Sequence, residues 1–210
     1  MRFLLPHIPK CAGSSIKPQI EGSCRVFLDY TNHPTWQSQS DRAIGFEKQN
    51  QIKGNLDCKD DWIVFGHFGV SQYFDIDWDL AIILLRNPEE RMRSHYKFFK
   101  QKISVNPITI ARHPELEYVR NGTMSINEFA SIDHNQNFLS DYYLRDIAKF
   151  RNRSIFLSME NFSRSCRIIS EILNLQINSG IHRNKTQDEF CDFDASIIQR
   201  DIDLYKELTC

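Results

Sequence analysis

Met1 to Ser15 reads MRFLLPHIPKCAGSS, and this stretch decides the fold. Arg2 to Ile8 is a short, continuous apolar run, the pattern of a strand covered on both faces. It leads straight into PKCAGSS, Pro9 to Ser15, small residues ahead of a helix. A strand, a small-residue turn and a helix make a layout that cradles a phosphate. The small residues Ala12, Gly13, Ser14 and Ser15 let backbone N–H groups come close to an anion, and the helix N-terminus adds its dipole. Lys10 supplies a mobile positive charge, and the Ser14 and Ser15 hydroxyls add donors. The spacing G-x-x-x-x-G-K-[ST] of a Walker loop is absent. Pro18 predicts that the helix is short or bent. The plain alternative is an ordinary strand-to-helix turn capped by serine.

Four further runs have the same strand character: Arg25 to Leu28, Trp62 to Phe65, Leu80 to Leu85 and Ser154 to Leu157. Helical patterns separate them. Pro88 to Lys102 opens with proline and two glutamates and closes with lysines. Asn137 to Phe150 reads as another helix. Glu160 to Leu175 places Phe162, Cys166, Ile169, Ile172 and Leu173 on one stripe, and Ala195 to Leu208 repeats the pattern. Strands alternating with helices predict an α/β fold of three layers, with a central parallel sheet of four to five strands and helices on both faces. Tyr30 to Asp61 and Ser104 to Asp133 are polar and weakly periodic; they read as substrate-facing loops rather than core.

The 210 residues, 24.8 kDa, fit a single domain over 1–210. Hydrophobic residues make up 41% and charged residues 25%, which excludes disorder and fibrous classes. A net charge of −1 argues against a general nucleic-acid binder, so an anionic ligand needs a local basic site. No run of ~18 apolar residues is present, and the apolar start is too short for a signal-peptide core. The six cysteines are scattered without a CxxC pair and read as thiols in a cytoplasmic setting. Four N-x-S/T sequons, at Asn121, Asn152, Asn161 and Asn184, carry no weight in that setting.

Two more elements complete a constellation. In LLRNPEERMRSHY, Leu84 to Tyr96, Arg86 stands at the end of a strand and Ser94 in the second turn of the next helix. Ligands of open parallel sheets gather beyond the carboxyl ends of the strands, so Arg86 and Lys10 reach one crevice. An arginine there holds a phosphate bidentately. Arg91, Arg93, Lys97 and Lys100 read as a solvated helix face. In FGHFG, Phe65 to Gly69, His67 follows a strand at the same edge, and its flanking glycines permit tight turning. That position suits a general base. No HExxH or paired-aspartate cluster argues for a metal.

Taken together, these elements resemble sulfotransferases that use 3′-phosphoadenosine 5′-phosphosulfate (PAPS), in particular carbohydrate sulfotransferases of the heparan sulfate 2-O- and 6-O- type and their bacterial relatives. HIPKCAGSS is similar to the family's 5′-phosphosulfate loop, usually HIPKTGGTS. LLRNPEERMRSHY is similar to its 3′-phosphate motif, and FGHFG to the segment with its catalytic histidine. IFLSMENFSRSCRIISEILNL, HRNKT and DLYKEL resemble later family segments, so the likeness runs from Met1 to near Cys210. It implies a nucleotide-kinase-like fold and PAPS as co-substrate. Lys10, Cys11, Ala12, Gly13, Ser14 and Ser15 would hold the 5′-phosphosulfate, Arg86 and Ser94 the 3′-phosphate. His67 would be the base, with Lys10 assisting catalysis. The implied acceptor is a saccharide hydroxyl, with peripheral membrane association left open. Three features depart from the pattern: Cys11 and Ala12 replace threonine and glycine, Asn137 stands where an arginine is usual, and the acceptor loops are short.

Other readings stay open on the residues alone. Cys11 in an anion loop suggests a cysteine phosphatase, but C-x5-R would need arginine where Lys17 stands. A nucleotide kinase lacks its Walker spacing. A non-catalytic nucleotide- or glycan-binding module with a degenerate site is the alternative from another class. Trp36, Trp62 and Trp78 could stack on sugar rings, although tryptophans are more often core.

Overall fold

The computed structural model describes residues 1–22, 25–30, 39–56, 60–101, 113–180 and 192–209, with side chains of the second helix described from Glu47 onward. Trp36, Cys24, Cys58, Cys191, Cys210, Asn184 and the HRNKT segment lie outside the described residues.

Among the described residues, five strands form one fully parallel sheet. They are β1 (Arg2–Pro6), β2 (Val26–Asp29), β3 (Trp62–Gly66), β4 (Leu80–Leu85) and β5 (Ser154–Ser158). Their order is β2-β3-β1-β4-β5, so β1 is central with β3 and β4 beside it. Leu4 pairs with Val64 on one side and Ala81 on the other.

The alternation of side chains divides each strand between two cores. Leu4, Trp62, Val64, Ala81, Ile83 and Leu85 face one layer, where they meet Phe68, Tyr73, Trp78, Phe138 and Tyr143. Phe3, Leu5, Ile63, Phe65, Ile82 and Leu84 face the other and meet Ile16, Ile20, Cys166 and Ile169. These latter residues belong to α1 (Gly13–Ile20) and to the helix Phe162–Leu173. Because both faces are covered, the strands can be apolar throughout, and each fully buried aliphatic side chain contributes about 1.5–3 kcal/mol. This is the three-layer α/β architecture expected from the sequence. Trp62 and Trp78, both about 1% exposed, are core residues.

The remaining helices are α2 (Gln39–Gly54), α3 (Pro88–Gln101), α4 (Glu115–Arg120), α5 (Ile126–Ala130) and α6 (Asp133–Gln136). Then come α7, the helix Phe162–Leu173 named above, and α8 (Gln199–Thr209). Eight-residue α1 is short, as Pro18 predicts.

Four expectations need correction. Tyr30 to Asp61 is not merely a polar loop: α2 spans Gln39–Gly54 within it, and its buried Gln49 donates to Asp29 Oδ2. Ser104 to Asp133 is not merely a polar loop. Its described part carries α4 and α5, whose Leu116, Val119, Ile126 and Phe129 join Met92, Tyr96 and Phe99 of α3 in a third apolar cluster. Asn137 to Phe150 is not one helix. A π-turn at Leu139–Tyr143 is followed by left-handed Asp146 and a 3-10 segment, Ile147–Arg153. The cause is local: buried Asp201 of α8 accepts hydrogen bonds from the Leu139 and Ser140 N–H groups and the Ser140 hydroxyl, which fixes an irregular helix start. Arg91 and Lys97 are not on a solvated face; they are 0% and 9% exposed. Arg93 does pair on the surface side with Glu89 and Glu90.

Candidate active site

The ladder of the sheet extends one residue past its strands. The His7 N–H donates to the Gly66 carbonyl at 2.5 Å, and the His67 N–H donates to the Asp29 carbonyl at 2.7 Å. Both imidazoles are thereby fixed at the carboxyl edge. They stack with centroids 4.6 Å apart, and Tyr30 lies edge-on to both.

The two glycines around His67 act through close approach. A Cβ on Gly66 would fall 1.7 Å from the Asp29 carbonyl oxygen, and one on Gly69 would fall 2.6 Å from the Tyr142 carbonyl. Gly66 lets β2 and β3 pair to their ends, and Gly69 admits the π-turn segment. That segment carries Tyr143 to His67, with its hydroxyl 3.0 Å from Nδ1. His67 Nδ1 also lies 2.7 Å from the His7 carbonyl oxygen. A carbonyl can only accept, so Nδ1 holds the hydrogen and the lone pair belongs to Nε2. Burial lowers the His67 pKa to about 4 and that of His7 to about 3, so both rings are neutral at physiological pH.

The loop between β1 and α1 is strained. Lys10 has φ 72 and Ala12 has φ 57, left-handed values for residues with a Cβ. Such a conformation costs roughly 1–2 kcal/mol per residue and persists only where its surroundings enforce it. It turns the chain sharply into α1. The N–H groups of Gly13 and Ser14 open this helix without a carbonyl four residues earlier inside it to accept them. Gly13 is required: a Cβ there would stand 1.8 Å from the His7 ring. Ser15 is buried and its N–H is taken by the Ala12 carbonyl.

Lys10 and Arg86 are close enough to repel each other. Burial first, and Arg86 second, lower the Lys10 pKa to about 8. The Lys10 ammonium lies 4.5 Å from the centre of the Phe98 ring. Arg86 has Glu90 at 3.6 Å. Ser94 is buried in α3, two turns beyond Arg86. The structure thus gathers Lys10, His67 and Arg86 at the ends of three adjacent strands, with the loop residues 11–15 between them. Cys11 is a buried neutral thiol whose pKa is pushed up to about 12, chiefly by burial. That protonated state does not suit a phosphatase nucleophile.

The chain is similar to a sulfotransferase from Alicyclobacillus acidocaldarius, with a TM-score of 0.49 and 12% identity, over 98% of this chain and 94% of that one. It is also similar to mouse sulfotransferase SULT7A1 complexed with PAP, with a TM-score of 0.42 and 11% identity, over 97% of this chain and 62% of that one. No protein-family model and no curated protein matches the chain. The architecture stated above stands on this chain's own strand order and register.

Three neighbours of the site escape a sequence reading: His7, Tyr143 and Arg91. Arg91 is fully buried, stacks 4.7 Å from the centre of the Phe138 ring, and none of its guanidinium nitrogens has a hydrogen-bond partner. Burial lowers its pKa, while Asp201 is the neighbouring charge that opposes this shift. Its position three residues before Ser94 was the available signal, since residues at that spacing share a helix face. Asn137, which stands where an arginine is usual in the resembled family, has a buried Oδ1 without a hydrogen-bond partner.

Proposed function

We propose that this chain is a sulfotransferase that moves the sulfuryl group of PAPS to a hydroxyl, with a saccharide as the acceptor. The observation that carries the reading is His67: its Nδ1 hydrogen is committed to the His7 carbonyl, at the strand edge that also holds Lys10 and Arg86.

The residues present fit the nucleotide. The loop turns by way of two left-handed residues, Lys10 and Ala12, into a helix, and Arg86 lies close enough to Lys10 and Cys11 of that loop to act on both electrostatically. PAPS, as donor, supplies an activated sulfuryl group on a phosphate leaving group. Lys10 and the amides at Gly13 and Ser14 would take up the 5′-phosphosulfate and stabilise the negative charge that grows on the departing phosphate. Fixed donors of this kind contribute roughly 3–4 kcal/mol each in comparable sites. Arg86 and Ser94 would hold the 3′-phosphate. His67 Nε2 would remove the acceptor hydroxyl proton as the acceptor oxygen bonds to sulfur and the bond from sulfur to the phosphate oxygen breaks. The proton then passes from Nε2 to solvent, and Nδ1–H keeps the ring in place throughout.

Thermal stability with 3′-phosphoadenosine 5′-phosphate, compared with 5′-AMP and with ATP plus magnesium, tests the donor site. A ligand at 100 times its dissociation constant stabilises by about 2.7 kcal/mol, and each kcal/mol raises Tm by roughly 2–4 °C at this size. A shift that requires the 3′-phosphate supports the reading. A shift only with ATP transfers the site to kinase chemistry, and no shift with any nucleotide overturns the donor assignment. Sulfate transfer from labelled PAPS to a glycan panel then tests the acceptor.

A further inference from the structure

His113, Glu115 and His134 form a second cluster of chemically capable side chains, in the helical lobe and apart from the strand-edge residues. His113 immediately precedes Pro114 and α4, Glu115 opens α4, and His134 lies in α6. His113 Nδ1 and His134 Nε2 each lie 3.1 Å from the same oxygen, Glu115 Oε1. All three donor atoms fall within 4.8 Å of one another.

We propose that these residues bind a divalent transition-metal ion of the zinc class, as a pin for the helical lobe. Two imidazole nitrogens and one carboxylate oxygen are a donor set that suits this class of ion and leaves a further position for water. Bond lengths of about 2.0–2.2 Å place neighbouring ligand atoms roughly 3.4 Å apart in a tetrahedral site. The two nitrogen–oxygen separations therefore need to open by only a few tenths of an ångström. The donors are also held ready. Glu115 is 5% exposed and each histidine 16%. The His113 ring packs edge-on against Phe99, with centroids 5.6 Å apart, and Phe99 packs against Phe129. Buried Asn135, next to His134, donates to the Phe129 carbonyl and ties that turn to the same cluster.

The donors come from chain segments about twenty residues apart, so a bound ion would close that span and stabilise the folded lobe. On binding, each hydrogen now directed at Glu115 is given up to solvent and the ring carries its hydrogen on the nitrogen facing away, so that a lone pair meets the ion at each ligating nitrogen. The inference does not depend on the sulfotransferase reading, because its measurements need neither nucleotide nor acceptor.

Tag-free protein stripped with a chelator is titrated with cobalt(II) chloride, followed by competition with zinc chloride. The expected result is a visible cobalt absorption of low-symmetry coordination that saturates at one equivalent, disappears with zinc, and accompanies a Tm rise of several degrees. His113→Ala and His134→Ala should each weaken zinc at least 10- to 100-fold, the range seen even for outer-shell partners. Glu115→Gln should do the same. No saturable cobalt band in the unsubstituted protein overturns the proposal and leaves a carboxylate bridged by two imidazole donors. So does a thiolate-to-cobalt charge-transfer band, which would place the ion on cysteine, or an affinity unchanged from the parent in both histidine variants. If one variant fails to fold, the other variant and the unsubstituted titration still decide the matter.

Discussion

His67 Nδ1 and the carbonyl oxygen of His7 are 2.7 Å apart, and this contact assigns the tautomer of the imidazole at the edge of the sheet. With hydrogen on Nδ1, the basic lone pair is on Nε2. His67→Ala should lower turnover by roughly 10²–10⁴-fold, the usual contribution of a general base. Binding of 3′-phosphoadenosine 5′-phosphate, followed by calorimetry, should change by no more than about twofold. Full activity in this variant would remove His67 from the reaction.

Acid should destabilise the protein through the stacked histidines. Their folded pKa values, about 4 for His67 and about 3 for His7, lie below the ordinary 6.5. The unfolded chain therefore takes up protons first as pH falls. The stability contributed by the neutral rings is complete above pH 6.5 and declines progressively from there to about pH 3. Urea midpoints at pH 7 and pH 5 should differ, and the difference should shrink in His7→Asn with His67→Asn. An unchanged difference would mean that other groups set the acid limb.

Lys10 gives an alkaline limb. Its pKa of about 8 means that the free enzyme loses this positive charge as pH rises through that value. The kcat/KM for the sulfuryl donor should fall above about pH 8, and Lys10→Arg, which stays protonated, should move that fall to higher pH. A profile that keeps its midpoint in Lys10→Arg would assign the limb to another group.

Ala12 occupies a left-handed conformation that glycine adopts without penalty. Ala12→Gly should raise stability by about 1 kcal/mol, less the entropy that glycine adds to the unfolded chain. Calorimetry should show a Tm at or above the parent's. A clear drop would mean that the Ala12 methyl packs more favourably than its strain costs.

Arg91 tests the difference between charge used for folding and charge used for binding. A buried guanidinium without hydrogen-bond partners is costly, and an apolar side chain of similar length relieves that cost. Arg91→Met should leave Tm unchanged or higher, while kcat/KM for the donor falls about tenfold or more. A large loss of Tm with intact kinetics would make its attraction to Asp201 purely structural.

The strands were legible because each is a short apolar run covered on both faces, and β4 matches its sequence bounds to the residue. Lys10, His67 and Arg86 could be placed because each directly follows such a run. The helical lobe was obscured. Leu116 and Val119, Ile126 and Phe129 sit in helices of five or six residues, too short to show a period, with Gly122 between them. Arg91 was misread because composition marks arginine as exposed, whereas its helix face belongs to the interior. The tautomer of His67 depends on a carbonyl sixty residues away, and no local pattern encodes that.

The central place of β1 has a consequence for how the cleft comes apart. Residues 10, 67 and 86 follow the three middle strands, whose amides are paired on both sides or buried in two cores. Such amides exchange with deuterium only when the whole chain opens, whereas short peripheral helices open at lower free energy. Deuterium should therefore reach α4, α5 and α6 well before Leu4, Val64 and Ile83. The strand-edge groups keep their mutual spacing through these partial openings, and the cleft is dismantled only when the sheet itself is lost.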